Sequence, residues 1–205
     1  MSEERGPGEK GKRVEDIRKE SEEKACPVQR ALYFIGEFIS GPMCSKCYPC
    51  SFGTGEAKIR LTRISRHSED VTEADIEALR RIGLNMSEGA SCKKGRDAGK
   101  FIADVLSVSD EEIRQHLAGV CRKKECADLI RYVIQPELCI MCGKCSEVCG
   151  AGAIIGEKKQ PYRSGFLPFE IRQKRCTKCG ACVGVCPTGA ISAVTVTREE
   201  LVGKE

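Results

Sequence analysis

From residue 26 onward the apolar positions fall at helical spacing. Val28, Ala31, Leu32, Ile35, Phe38 and Ile39 line one face, Pro27 suits a first turn, and Gly41-Pro42 ends the helix just before Cys44. Thr72 with Asp75 signals the start of a second helix, with Ile76, Leu79 and Ile82 on one face and Gly83 as its cap. A third is expected from about Asp97 to Leu106, carrying Ala98, Phe101, Ile102 and Val105. Ser109 and Glu112 make a capping box for a fourth, with Ile113 and Leu117. A fifth, near Glu125–Ile134, would turn Leu129, Ile130 and Val133 inward. Residues 25–135 therefore read as a small helical domain whose apolar faces form a packed core. Residues 1–24 are rich in glycine and charge, with only a weak Val14/Ile17 pair, and read as a flexible charged arm, disordered or marginally helical.

After Pro136 the pattern becomes an internal repeat. Glu137–Gly156 contains C-I-M-C-G-K-C-S-E-V-C-G-A-G-A-I and Lys174–Ala193 contains C-T-K-C-G-A-C-V-G-V-C-P-T-G-A-I. So close a repeat implies two similar sites related by a pseudo-twofold axis, with short helices and small hairpins, over residues 136–195. Residues 196–205 are left as a tail. The segment between the repeats, Gln160–Pro168, is longer than a hairpin needs. With Tyr162, Phe166 and the adjoining Phe169, it would either cover the paired sites or serve as a docking lip.

Composition narrows the chemistry. The 205 residues include 15 cysteines and no tryptophan. Secreted disulfide scaffolds with such a count are usually shorter than about 100 residues. The first 24 residues hold seven Lys/Arg and eight Asp/Glu with no apolar core, so no signal peptide is visible, and no stretch is apolar enough to span a membrane. The reading is a cytoplasmic protein, where clustered cysteines bind metal. Gly6, Gly8 and Gly11 match G-x-G-x-x-G only formally, because no strand precedes them and Pro7 interrupts.

Cys139, Cys142, Cys145 and Cys149 give C-x2-C-x2-C-x3-C, and Cys176, Cys179, Cys182 and Cys186 repeat it with Pro187 completing the bacterial ferredoxin run. Three thiolates two residues apart wrap one loop around three corners of a cubane. The fourth, on the helix that follows, reaches the other cluster. One [4Fe–4S] cluster is thus assigned to Cys139, Cys142, Cys145 and Cys186, and another to Cys176, Cys179, Cys182 and Cys149. Gly150 stands where the run expects proline, a departure that tunes the turn and removes no ligand. In the helical domain Cys44, Cys47 and Cys50 form a third triplet. Cys92, on a glycine-rich turn ahead of a helix, is the candidate fourth ligand, because helix N–H groups favour a thiolate there.

Ser40–Gly53 followed by Ser91-Cys92-x-x-Gly95 resembles the C-terminal cluster domain of the NADH-binding flavoprotein subunit of respiratory complex I and of related NAD-linked hydrogenase and formate dehydrogenase subunits. In the latter group a two-cluster ferredoxin follows, joined as Gly119–Cys139 joins the domains here. The resemblance covers roughly residues 25–193. It implies a mostly α N-terminal cluster-binding domain followed by an α+β ferredoxin-like domain with two [4Fe–4S] clusters. Ser45, Ser51 and Phe52 depart from the residues usual around the first triplet. The family's upstream FMN- and NADH-binding region is also missing, so the resemblance implies electron wiring without flavin chemistry and a partner subunit that supplies it.

Three cysteines remain: Cys26, Cys121 and Cys126. With His116 they make a Cys3His set, the inventory of a structural zinc site, which would tie the start of the helical domain to its end. The whole then reads as a non-catalytic electron-transfer subunit of an oxidoreductase. Three clusters and one zinc would sit between a flavin/NAD(P)- or ferredoxin-linked partner and a catalytic subunit such as a hydrogenase or formate dehydrogenase. The alternatives are a zinc-dependent binding module and an iron–sulfur carrier. Lys93, Lys94, Arg96, Lys100 and Arg122-Lys123-Lys124 could face nucleic acid, but aromatics for base stacking are scarce and no nucleic-acid partner is expected. The formal charge of +4 is itself a counterweight to metal-bound sulfur, since three clusters of about −2 and a Zn(Cys)3 site of about −1 would bring the loaded chain to about −3.

Overall fold

Six helices occupy the first part of the chain in the computed structural model, which describes residues 12–68, 70–162 and 164–196. They are α1 (Val14–Ser21), α2 (Pro27–Ser40), α3 (Tyr48–Arg66), α4 (Glu73–Gly89), α5 (Lys93–Val108) and α6 (Asp110–Leu117). The α2 face anticipated from periodicity is the buried one: Val28, Ala31, Phe34, Ile35 and Phe38 are sealed, and Phe34 stacks on Phe101 of α5 with ring centroids 3.9 Å apart. Thr72 and Asp75 close a reciprocal capping box at the start of α4. Buried Asp75 also meets Arg60 and Arg63 of α3, which compensates its desolvation.

Several boundaries differ from the expectation. The charged arm is helical from Val14, because Ile17 and Ser21 find a buried seat and Tyr33 donates to Glu20; residues 1–11, with the glycine pattern, lie outside the described residues. Gly83 is no cap. The helix runs on to Gly89, and Gly83 instead faces α5, where a Cβ would stand 3.0 Å from the Ala103 nitrogen and 3.2 Å from the Gly99 carbonyl oxygen. Helix α5 starts at Lys93, one residue past Cys92, rather than near Asp97. Ser109 precedes α6 without a side-chain cap bond. Helix α3 has no counterpart in the sequence reading.

The chain divides into two compact units after Cys126. The expected fifth helix is not formed: Ala127–Leu129 is a 3-10 turn and Ile130–Ile134 is strand β1. Its β-branched and aromatic residues suit a strand, and β1 pairs antiparallel with β4 (Ile191–Thr195), Ile130 opposite Thr195 and Ile134 opposite Ile191. Between them come helix α7 (Lys144–Glu147), the antiparallel pair β2 (Ile154–Ile155) and β3 (Glu170–Ile171), and helix α8 (Ala181–Gly184). Backbone positions with positive φ recur in the two halves: Met141 with Lys178, Gly143 with Gly180, and Gly152 with Gly189. The repeat in sequence is therefore a repeat in chain path, and this unit is α+β and ferredoxin-like. Its core joins Ile154, Phe169, Ile171 and Ile191 to the cysteines. In the inter-repeat segment Phe169 is buried and Tyr162 stands fully exposed. The tail from residue 197 lies outside the described residues. No described helix is long and apolar enough to cross a membrane.

Candidate iron–sulfur and metal sites

The first triplet is built at two helix starts. Cys47 is the residue before α3, Cys50 lies in its first turn, and Cys92 is the residue before α5. The backbone N–H of Cys50, in the first turn of α3, bonds the Cys47 sulfur. The Ser91 backbone N–H bonds to the Cys47 sulfur and holds that thiol below its ordinary value. Burial, followed by the charges of Cys47, Cys92 and Cys44, pushes Cys50 up to about 11. The charges of Cys44, Cys47 and Cys92 thus all act on Cys50. Gly95 keeps the space clear: a Cβ there would sit 2.8 Å from that of Ala90 and 3.5 Å from the Cys50 sulfur. Cys44 is the exposed member.

In the second unit Cys139, Cys142, Cys145 and Cys186 line one cavity with Ile134, Phe169 and other apolar side chains. Cys182 is raised by burial and by the charges of Cys176, Cys179 and Cys149. Cys186 of the second half thus shares a cavity with the first triplet, and the charge of Cys149 of the first half acts on Cys182 of the second. Equivalent backbone amides serve the two crossing ligands, Ala153 N–H donating to Cys149 Sγ and Ala190 N–H to Cys186 Sγ, both at 3.3 Å. These donors stabilise thiolate, and the residues fit the cluster chemistry the spacing implies.

The remaining set also comes together. The ligand atoms of Cys26, His116, Cys121 and Cys126 all lie within 4.8 Å of one another, and all four residues are buried. Cys26 directly precedes α2 and His116 is in the last turn of α6, so the group pins the first long helix to the last. His116 Nδ1 bonds the Glu112 carbonyl oxygen at 2.7 Å, which leaves Nε2 free to ligate. Burial opposes a charge on His116, but bonds to Cys121 and Cys26 outweigh it and drive the imidazole up to about 10. Bonds from Cys126 and Cys26 hold Cys121 down, while Cys121, Cys26 and burial push Cys126 up. Three thiols and an imidazole packed this closely and sealed from water form a Cys3His donor set that could hold a metal ion.

Sequence reasoning missed the residues that support these ligands. Glu125 accepts from the backbone N–H groups of Ala25 at 3.0 Å and Cys26 at 2.8 Å, and Gln29 donates to Cys126 Sγ at 3.4 Å. Glu125 adjoins a ligand in sequence, and Gln29 lies one helical turn beyond another. Neither placement is a signal until the fold is known.

The two units define an iron–sulfur protein of two modules. Residues 30–116 match the iron–sulfur binding region of the NADH-ubiquinone oxidoreductase F subunit, and residues 138–190 match the 4Fe–4S dicluster domain; those stretches belong to these two families. Among curated proteins, the chain is similar to the NADP-reducing hydrogenase subunit HndC of Solidesulfovibrio fructosivorans, 31% identical over 142 residues, which is 69% of this chain and 28% of the relative. It is also similar to the beta subunit of the NADP(+)-dependent formate dehydrogenase of Moorella thermoacetica, 29% identical over 87 residues, 42% of this chain and 12% of that one. The chain thus spans less than a third of the length of either relative.

Proposed function

We propose that this chain carries electrons through three [4Fe–4S] clusters within a larger cytoplasmic oxidoreductase assembly. The ligand sets are Cys44/Cys47/Cys50/Cys92, Cys139/Cys142/Cys145/Cys186 and Cys176/Cys179/Cys182/Cys149. The observation that supports the reading is the cavity that Cys139, Cys142 and Cys145 share with Cys186 of the other repeat, with equivalent backbone N–H donors on Cys149 and Cys186. Clusters bound there would take up and release single electrons with no bond made or broken. The chain's own part is to hold the thiolates, aim amide dipoles at the sulfurs, and pack Ile134, Phe169 and Ile191 against the cavity that Cys139 and Cys186 share. The names of the two relatives, an NADP-reducing hydrogenase subunit and an NADP(+)-dependent formate dehydrogenase subunit, favour NADP-linked chemistry on one side and a hydrogenase- or formate dehydrogenase-type catalytic subunit on the other; a flavin- or ferredoxin-linked partner is our proposal for the first.

The fourth site, Cys26/His116/Cys121/Cys126, is read as structural zinc. A divalent cation there would offset the charge of three buried thiolates, and its binding free energy would become folding free energy for the helical unit. The assembly is tested by purifying the tagged chain anaerobically from its native cells. Stoichiometric recovery of flavin- or metal-containing redox subunits is expected; a lone 22.5 kDa chain would contradict the reading.

A further inference from the structure

Helix α3 starts inside the Cys44–Cys50 run and carries an apolar stripe on its outer face. Tyr48 is 73% exposed, Phe52 64% and Ile59 57%. These side chains share one helical face, opposite the Ala57, Leu61 and Ile64 positions that enter the core. The Tyr48 and Phe52 rings stack with centroids 4.4 Å apart and border a groove of about 490 Å³ that reaches Ile82 of α4. A Cβ at Gly55 would meet nothing within 4 Å, so the middle of the stripe is flat and approachable. Single exposed apolar side chains are ordinary, but a contiguous aromatic stripe marks a contact surface.

The surrounding charge says what covers it. Residues 44–66 and 88–100, which hold the four cysteines and the stripe, contain nine Lys/Arg against three Asp/Glu, a surplus of six in a chain whose whole surplus is four. Arg60 and Arg63 are engaged by Asp75 and Lys93 by Asp97 at 2.7 Å, but Lys46, between Cys44 and Cys47, and Lys94, two residues past Cys92, stand exposed, as does Lys100 further along α5. On the other flank of the cysteine loop a cavity of about 370 Å³ abuts Gly41-Pro42; of the cations lining it, Lys12 pairs with Glu20 and Glu37, Arg13 with Asp16 and Lys93 with Asp97, so its basic contribution to the face is exposed Lys94. An apolar centre with a basic flank complements a protein face with an apolar patch and an acidic flank. We infer that this face docks an acidic electron-carrier protein of ferredoxin-like charge, which exchanges electrons with the cluster held by exposed Cys44 and its three companions. In each exchange the reduced carrier loses one electron and this chain gains one, with no bond or proton transferred. The inference rests on the cluster assignment proposed above.

The test uses the full, cluster-loaded chain and a reduced plant-type [2Fe–2S] ferredoxin as the acidic probe, followed by anaerobic stopped-flow absorbance. The wild type should oxidise the ferredoxin at a rate that falls about tenfold or more between low and high salt. Tyr48→Ser/Phe52→Ser and Lys46→Glu/Lys94→Glu should each slow the reaction by about tenfold, while reduction by methyl viologen radical stays unchanged. Equal ferredoxin rates in wild type and variants, no ferredoxin reaction at all, or a wild-type dimer dissolved by Tyr48→Ser/Phe52→Ser would overturn the docking assignment. In those cases viologen reduction would leave the clusters themselves in place. Protein without iron would instead overturn the cluster reading, and this inference with it.

Discussion

Cys26 Sγ lies 3.3 Å from His116 Nε2, although the two residues are 90 positions apart in the chain. Cys126 Sγ approaches the same sulfur to 3.7 Å, from 100 positions away. The contact closes nearly the whole helical unit on itself, where loop closure is entropically most demanding and a metal bridge stabilises most. Removal of zinc by a strong chelator should therefore lower the Tm of the helical unit by about 10 °C or more while leaving iron bound. Cys126→Ser should do the same in the absence of chelator. Differential scanning calorimetry with parallel metal analysis checks both, and an unchanged Tm after complete zinc loss would rule out a structural role.

Glu125 should matter through geometry rather than through charge at the metal. Its carboxylate holds the Ala25 and Cys26 amides, and so fixes the direction from which the Cys26 sulfur approaches. Glu125→Ala should weaken zinc retention about tenfold or more in competition with a chromophoric chelator, in the range typical of lost outer-shell partners. Glu125→Gln keeps an acceptor oxygen and should recover part of the difference. Equal retention in all three proteins would assign Glu125 no positioning role.

The crossed ligation proposed for the two repeats makes a specific expectation. Cys186→Ser should perturb the cluster held by the first repeat, and Cys149→Ser the one held by the second, because Cys186 lines the Cys139/Cys142/Cys145 cavity and Cys149 acts on Cys182. Adding Cys142→Ser to Cys186→Ser should then damage no further cluster, whereas adding Cys179→Ser should damage a second. Iron content and electron paramagnetic resonance of the reduced variants distinguish crossed from uncrossed ligation.

Helices α4 and α5 touch through glycine. A Cβ on Gly99 would stand 2.7 Å from the Gly83 carbonyl oxygen, and its other nearest neighbours are also α4 backbone. Alanine would gain about 1 kcal/mol in helix propensity, but forcing the helices apart costs about 1–3 kcal/mol. Gly99→Ala should therefore lower the Tm by several degrees in chemical or thermal melts, and a rise would mean that the helices part freely.

The sites were more legible than the fold. Ligand spacing is a local property, and subtracting three cluster sets from the cysteines left Cys26, Cys121 and Cys126, which the structure brings together with His116. Helix α2 was legible because its two faces contrast sharply. Helix α3 was not, because Phe52 and Ile59 face outward while Ala57, Leu61 and Ile64 face inward, so apolar residues mark both sides. Strand β1 read as helix because Leu129, Ile130 and Val133 happen to fit one helical face, and its partner β4 lies beyond the whole ferredoxin repeat. Gly83 reads as a stop in the sequence because only the neighbouring helix explains why a Cβ is excluded there.

Metal content of the anaerobically purified full chain tests the central claim most directly. Three [4Fe–4S] clusters and one structural zinc require about twelve iron, about twelve acid-labile sulfide and about one zinc per chain. About eight iron would leave one of the three ligand sets without its cluster and contradict the count of three, and colourless protein containing only zinc would contradict the electron-relay account altogether.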